Sequence, residues 1–197
     1  MIAVYDYGAG NLQSVCNALA RLGAHHRVVR DAEGLQAAEK IILPGVGHFG
    51  HMMRALSQAG VQAALLERIR AGIPFLGICL GLHALFAGSE EEPGTQGFGL
   101  FPEAVRRLPA GVRVPHMGWN VLEVQRPSRL LSGLPAQVFV YFAHSYYAPV
   151  TTATTAVCHY GATFTALLER DNVFGVQFHP EKSGPLGLRI LENFLKL

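Results

Sequence analysis

Apolar residues in the first half of the chain alternate between two periods, and that alternation predicts the fold. A short apolar run over residues 2–5 reads as a strand. Leu12, Val15, Leu19 and Leu22 then recur at helical spacing, so residues 11–22 read as a helix with Asn11 as N-cap and Gly23 as its stop. Residues 26–30 and 40–43 read as further strands, with short helices after Asp31 and around 52–71. A strand over 73–78 and a helix over 82–87, closed by Gly88, follow. Such β-α-β alternation implies a parallel sheet covered on both faces, with its site at the carboxyl ends of the strands.

Beyond about Gly97 the pattern changes. β-rich runs at 104–108, 121–125, 138–142, 163–169 and 173–178 are separated by turn residues, which predicts antiparallel hairpins before a last helix over 186–195. The expected class is a doubly wound α/β fold, with a mostly parallel central sheet flanked by helices and an antiparallel, β-rich C-terminal half. One domain covers 1–197, without internal repeat. Only 88–97 reads as a flexible loop.

Composition narrows the function classes. Half of the residues are hydrophobic and 15% are charged, which describes a globular chain. A formal net charge of +2 without a basic run argues against nucleic acid. Nine histidines raise the question of metal, yet no H-E-x-x-H or Cys/His cluster with ligand spacing occurs, so neither a metal nor a cofactor is expected. His25 and His26 read as structural or solvent-facing. Cys16, Cys79 and Cys158 form no C-x-x-C pair, and an odd number without a leader peptide suits a reducing cytoplasm. No apolar run is long enough to span a bilayer. Cys16 and Cys158 fit core positions.

Cys79 differs. Gly77-Ile78-Cys79-Leu80-Gly81 stands between an apolar strand and an apolar helix, the place where a nucleophile elbow occurs. Flanking glycines would permit the sharp turn, expose the sulfur and set it at a helix N-terminus that favours thiolate. The same run also fits a buried structural cysteine. A second strand end, Gln177-Phe178-His179-Pro180-Glu181, offers a base and its orienting carboxylate, because residues two apart in extended chain point the same way. A strand-end histidine beside a surface glutamate is the plainer alternative. For the oxyanion, the Leu80 N–H and the loop Pro44-Gly45-Val46-Gly47 are the candidate donors, unless these are turn glycines alone.

These segments resemble a class I, triad-type glutamine amidotransferase domain. Within that class Tyr5-Asp6-Tyr7-Gly8-Ala9-Gly10-Asn11, Pro115-His116-Met117-Gly118-Trp119-Asn120 and Phe142-Ala143-His144-Ser145-Tyr146 are similar to the glutaminase subunits of histidine biosynthesis. The resemblance implies Cys79, His179 and Glu181 as a catalytic triad hydrolysing glutamine to glutamate and ammonia through a thioester. It implies oxyanion donors at Leu80, Val46 and Gly47. Gly45, His83, Glu91, His144, Ser145 and Tyr146 become candidates for binding glutamine: Glu91 for the ammonium, backbone groups of 144–146 for the carboxylate. One departure is His83, where family members usually carry a glutamine that contacts substrate; its ring could replace that contact or simply pack.

The chain holds no Walker-type or G-x-G-x-x-G run, so the ammonia acceptor is expected elsewhere. The resemblance supplies a (β/α)₈-barrel cyclase that makes imidazole glycerol phosphate and AICAR, docked through Asn11, Trp119, Asn120, Tyr141 and Lys182. Trp119 also fits an interface anchor on its own account, or a core position. The alternatives are another amidotransferase of the same class, a stand-alone thiol hydrolase and a catalytically dead subunit.

Overall fold

The computed structural model describes residues 1–8, 12–135 and 137–197. In chain order its elements are β1 (Ile2–Tyr5), α1 (Leu12–Arg21), β2 (His26–Val29), α2 (Ala32–Gln36), β3 (Lys40–Gly45), α3 (Phe49–Gln58) and α4 (Val61–Arg70). There follow β4 (Phe75–Cys79), α5 (Leu80–His83), β5 (Phe86–Ser89), β6 (Phe101–Arg107), β7 (His116–Val124) and β8 (Val138–His144). The chain closes with β9 (Tyr146–Tyr147), β10 (Thr154–His159), β11 (Thr163–Arg170), β12 (Val173–Val176) and α6 (Gly184–Leu195).

Nine strands form the main sheet in the order β2-β1-β3-β4-β12-β11-β10-β7-β8. β2 through β12 in that order run parallel, and every pairing from β12 to β8 is antiparallel. The expected mixture of a parallel half and hairpins is therefore present. A smaller sheet, β5-β6-β9, sits beside it.

Apart from the edge strand β2, the parallel strands are buried on both faces, which explains their apolar runs. In β1 the period of two is visible: Ala3 and Tyr5 join one core cluster, Ile2 and Val4 the other. The first cluster packs under α2, α3 and α4 through Leu35, Phe49, Met52, Leu56 and Leu65. The second packs under α1 and α6 through Val15, Leu19, Ile190, Leu191 and Phe194. At about 25 cal/mol per Å² of apolar surface, these two layers dominate the stability.

Register decides where chemistry can occur. β3 and β4 pair with Gly45 opposite Cys79, and β4 and β12 pair with Ile78 opposite Val176. One step further, Cys79 and Gln177 stand at neighbouring strand tips. The parallel sheet thus brings together segments far apart in sequence.

Several expectations change. The apolar run 82–87 does not form one helix: α5 is a single turn, and the chain passes straight into β5. Phe86 there pairs with Phe101 of β6, a long-range contact that overrides local helical pattern. The predicted flexible loop 88–97 is tied down instead. Gly88 bridges to Gln96, the Phe49 N–H donates to Glu91 at 2.8 Å, and Arg54 pairs with Glu92. The helical region around 52–71 is two helices, broken where Gly60 adopts φ 65°. Asn11, the expected N-cap of α1, lies outside the described residues; Gly23 does take the left-handed conformation just past the end, at φ 68°.

Candidate active site

Cys79 ends β4 with φ 55° and ψ −105°, a region an L-residue occupies only under strain of about 1–3 kcal/mol. The flanking glycines serve a purpose different from the expected flexibility. Neither has a positive φ, but a Cβ on Gly77 would lie 2.4 Å from the Gly81 carbonyl oxygen, and one on Gly81 only 1.9 Å from that of Leu43. Both are needed for close backbone approach, while the cysteine itself takes the strained conformation. Gly45 likewise packs beneath the elbow, where a Cβ would meet Met52 and Leu80. It is not on the pocket wall.

The sulfur is not exposed as the elbow argument expected: Cys79 is 6% accessible. It lies instead at the base of a pocket of about 200 Å³ lined by Val46, Gly47, Leu80, His83, Glu91 and residues 143–146, with Pro115 and Met117 on its rim. The one-turn α5 is too short for the helix dipole invoked from sequence. The positive partner of the sulfur is His179.

His179 follows β12 and is 2% accessible; its ring stands close enough to the Cys79 sulfur for the two to interact electrostatically. Its Nδ1 lies 2.9 Å from Glu181 Oε1, and the Glu181 side chain is fully buried. The expected extended geometry holds only at His179, with φ −103° and ψ 96°. Residues 180–182 form a 3₁₀ turn, so Glu181 reaches the ring by curling back. Ser183 fixes that turn, donating to the His179 carbonyl at 2.6 Å and accepting the Tyr141 N–H at 2.9 Å. Burial alone would lower the His179 pKa. The charge and hydrogen bond of Cys79, then those of Glu181, outweigh it and push the value up to about 10. An imidazolium is the state that the sulfur and the carboxylate favour at His179.

The other predicted residues divide. Val46 and Gly47 line the pocket, and the Tyr7 hydroxyl clamps Val46 on both sides. It donates to the Val46 carbonyl at 2.5 Å and accepts the Val46 N–H at 2.8 Å. The Val46 N–H is therefore engaged, and the Gly47 N–H, opposite the held carbonyl in a trans peptide, points away from Tyr7. Leu80 heads α5, so no carbonyl of that helix takes its N–H. Glu91 lines the pocket while accepting from the first N–H of α3. His83 is buried, its Nε2 2.8 Å from Gln177 Oε1, and burial pushes its pKa down to about 4.

His144 contributes more than backbone. Its Nδ1–H donates to the Tyr146 carbonyl at 2.9 Å, leaving Nε2 to accept from His116 Nδ1 at 3.0 Å. Burial lowers the His144 pKa to about 3, helped by the charge of His116, and lowers that of His116 to about 4. Both rings are neutral. Ser145 and Tyr146 complete the wall.

Of the docking candidates, Trp119 and Tyr141 face each other across β7 and β8 with ring centroids 6.2 Å apart. Trp119 is 57% exposed, which settles its two readings against the core. Met117 and Phe139, also exposed, extend the stripe to the pocket rim. Lys182 is exposed on the turn next to His179. Asn120 does not join the stripe. Adjacent strand residues face opposite ways, and its side chain bonds the His159 carbonyl and lies 3.5 Å from His116 Nε2. Asn11 lies outside the described residues.

Sequence reasoning gave no separate role to Tyr7, Ser183 or Gln177, although Tyr7 and Gln177 stand in the segments that carried the resemblance. A larger open cleft, about 1250 Å³ between β7–β8 and the C-terminus, shares no residue with the cysteine pocket. Among the described residues no group of three or more His, Cys, Asp or Glu is arranged to hold a metal ion, and no helix is long and apolar enough to cross a membrane.

Fold and site define a class of protein: an α/β domain whose elbow cysteine, at one central strand tip, faces a histidine–carboxylate pair beyond the next. The model of the family "Glutamine amidotransferase class-I" matches residues 3–197. The imidazole glycerol phosphate synthase subunit HisH of Xanthomonas oryzae pv. oryzae is 50% identical, over 100% of this chain and 97% of that protein. Those of Desulfitobacterium hafniense and Methanothermobacter thermautotrophicus are each 48% identical over 100% of this chain, and over 94% and 98% of their own lengths. A solved glutamine amidotransferase superposes with a TM-score of 0.78 at 23% identity, covering 99% of this chain and 97% of the other. PurLQS from Thermotoga maritima gives 0.76 at 19% identity with the same coverage. These two bear on the fold alone. The chain belongs to the class-I glutamine amidotransferase family, in the branch of HisH subunits of imidazole glycerol phosphate synthase that serves histidine biosynthesis.

Proposed function

We propose that this chain is a glutaminase that hydrolyses glutamine at Cys79 and passes nascent ammonia to a (β/α)₈-barrel cyclase making imidazole glycerol phosphate and AICAR in the cytoplasm. The observation that carries the reading is the buried contact of Cys79 with the His179–Glu181 pair at the base of a small pocket.

The Cys79 thiolate attacks the carboxamide carbon of glutamine, and the carbonyl oxygen becomes an oxyanion. N–H groups of Leu80 and Gly47 are the donors, each commonly worth about 10²–10³ in rate. His179 gives its Nε2 proton to the nitrogen, the C–N bond breaks and ammonia leaves. A thioester remains. The now neutral imidazole takes a proton from water, whose oxygen attacks the thioester, and glutamate departs as the thiolate re-forms beside imidazolium. Glu181 holds Nδ1–H throughout, keeping Nε2 towards the sulfur and stabilising the imidazolium. Glu91 receives the substrate ammonium, and the backbone of residues 144–146 its carboxylate. His83 stands at the pocket wall, where family members usually carry glutamine.

Ammonia released into water becomes ammonium, so a capped mouth is required. The stripe of exposed Met117, Trp119 and Phe139 with half-buried Tyr141 runs to the pocket rim, and supports docking of the cyclase there. Aiming the Val46–Gly47 peptide differently breaks the Tyr7 clamp, so activation awaits the docked partner. Glutamine hydrolysis should be weak in the isolated chain and rise strongly with the cyclase and its nucleotide. Full activity in isolation would contradict the activation step, and no hydrolysis in the loaded complex would refute the function.

A further inference from the structure

We propose that Gln177 is a positioning residue for the catalytic sulfur, locked in one amide orientation by His83 so that its NH₂ group supports the thiolate. The proposal rests on Cys79 being the nucleophile.

Gln177 is fully buried and its main-chain N–H donates to the Ala166 carbonyl at 2.9 Å. Its side chain bridges two groups: Oε1 lies 2.8 Å from His83 Nε2, and Nε2 lies 3.8 Å from Cys79 Sγ. The orientation of this amide follows from His83. Burial keeps that ring neutral, so it carries a single N–H. His83 Nδ1 is buried without a hydrogen-bond partner. A proton there would strand a donor, which folded proteins rarely tolerate, whereas an empty lone pair is cheaper. The proton therefore sits on Nε2 and donates to Gln177 Oε1. That leaves the Gln177 NH₂ facing the sulfur. The reverse orientation would strand the His83 donor and set an amide oxygen against the thiolate.

The sulfur then has different partners in its two states. As a thiol it can donate to the Ala143 carbonyl at 3.9 Å. As a thiolate it meets Gln177 and His179 as donors, and the Ala143 oxygen becomes unfavourable. A donor that serves only the charged form selects for it. Gln177 need not touch substrate to do so.

The test is the pH dependence of Cys79 alkylation by iodoacetamide in the full chain, located by mass spectrometry. It compares the parent with Gln177→Met, which keeps the length without a donor, and Gln177→Glu. Gln177→Met should slow alkylation about three- to tenfold at neutral pH, the worth of one net hydrogen bond, with the rates converging at high pH as thiolate forms in both. Gln177→Glu should slow it further by like charge. His83→Leu, which releases the amide, should shift the profile the same way by less, and remains informative if the Gln177 variants fail to fold. Superimposable profiles would overturn the proposal, as would equal slowing at every pH, which reports access alone. No glutamine enters this assay. A parent inactive on glutamine but with the shifts intact would refute the substrate and leave this role standing.

Discussion

The parallel and antiparallel halves of the main sheet contribute different things to one site. In the parallel half, three strand tips set Gly45, Cys79 and Gln177 side by side through backbone register alone. Every one of these residues is buried. In the antiparallel half, β7 and β8 give one face to the core and the other to solvent, supplying His144 to the pocket wall and Trp119 to the outside. Chemistry in the first half depends on contacts fixed to a few tenths of an ångström. The second half is a surface, where loss of one side chain weakens a contact without removing a reaction step.

This contrast can be broken from either side. The largest effect falls in the parallel half: Cys79→Ala should lower glutamine hydrolysis by the cyclase complex by at least about 10⁴-fold in steady-state assay, since the covalent step vanishes. Glu181→Gln follows, with a loss of about 10³-fold in kcat, because the ring loses its orienting charge. Gly81→Ala tests the close backbone approach beneath the elbow. A Cβ 1.9 Å from the Leu43 carbonyl oxygen forces backbone movement and should cost about 3 kcal/mol of unfolding free energy in denaturant titration. Trp119→Ala, in the antiparallel half, should weaken association with the cyclase by about 2 kcal/mol, measured by calorimetry. It should leave Cys79 alkylation of the isolated chain unchanged. Equal damage to alkylation would erase the distinction between the halves.

A separate, gradual effect is a slope with pH. His83, His116 and His144 are held neutral, with pKa values near 4, 4 and 3 against about 6.5 when unfolded. Between those values the unfolded chain binds protons that the folded chain refuses, so stability falls as the pH drops below about 6.5. Each histidine contributes up to about 1.4 kcal/mol per pH unit in that window. His179 has the opposite sign: its raised pKa adds stability that is fully present below about 6.5 and lost as pH rises through about 10. Denaturant melts across the acid range read the first trend, and His144→Asn should flatten it.

The strand and helix periods of the first half were legible because strands buried on both faces and amphipathic helices leave unmistakable patterns. So were the elbow and the His-Pro-Glu segment, whose chemistry is local. What escaped depends on distant partners. Residues 82–87 carry a helical pattern, yet Phe86 turns to a strand because β6 lies beside it. The elbow glycines suggested flexibility, and only the proximity of Leu43 and Gly81 backbone reveals close packing. Asn120 follows Trp119 in sequence, but strand alternation sends it to the opposite face. Gln177, Tyr7 and Ser183 act through hydrogen bonds to residues 39 to 98 positions away, or to the backbone of a turn they close, and no local spacing encodes these.

Labelling with an electrophilic glutamine analogue addresses the contact between Cys79 and His179 most directly, with the adduct located by mass spectrometry in the cyclase complex. One adduct per chain, confined to Cys79, blocked by excess glutamine and strongly slowed in His179→Ala, is the expected result. Adducts at Cys16 or Cys158, or labelling of Cys79 at the same rate without His179, would contradict it.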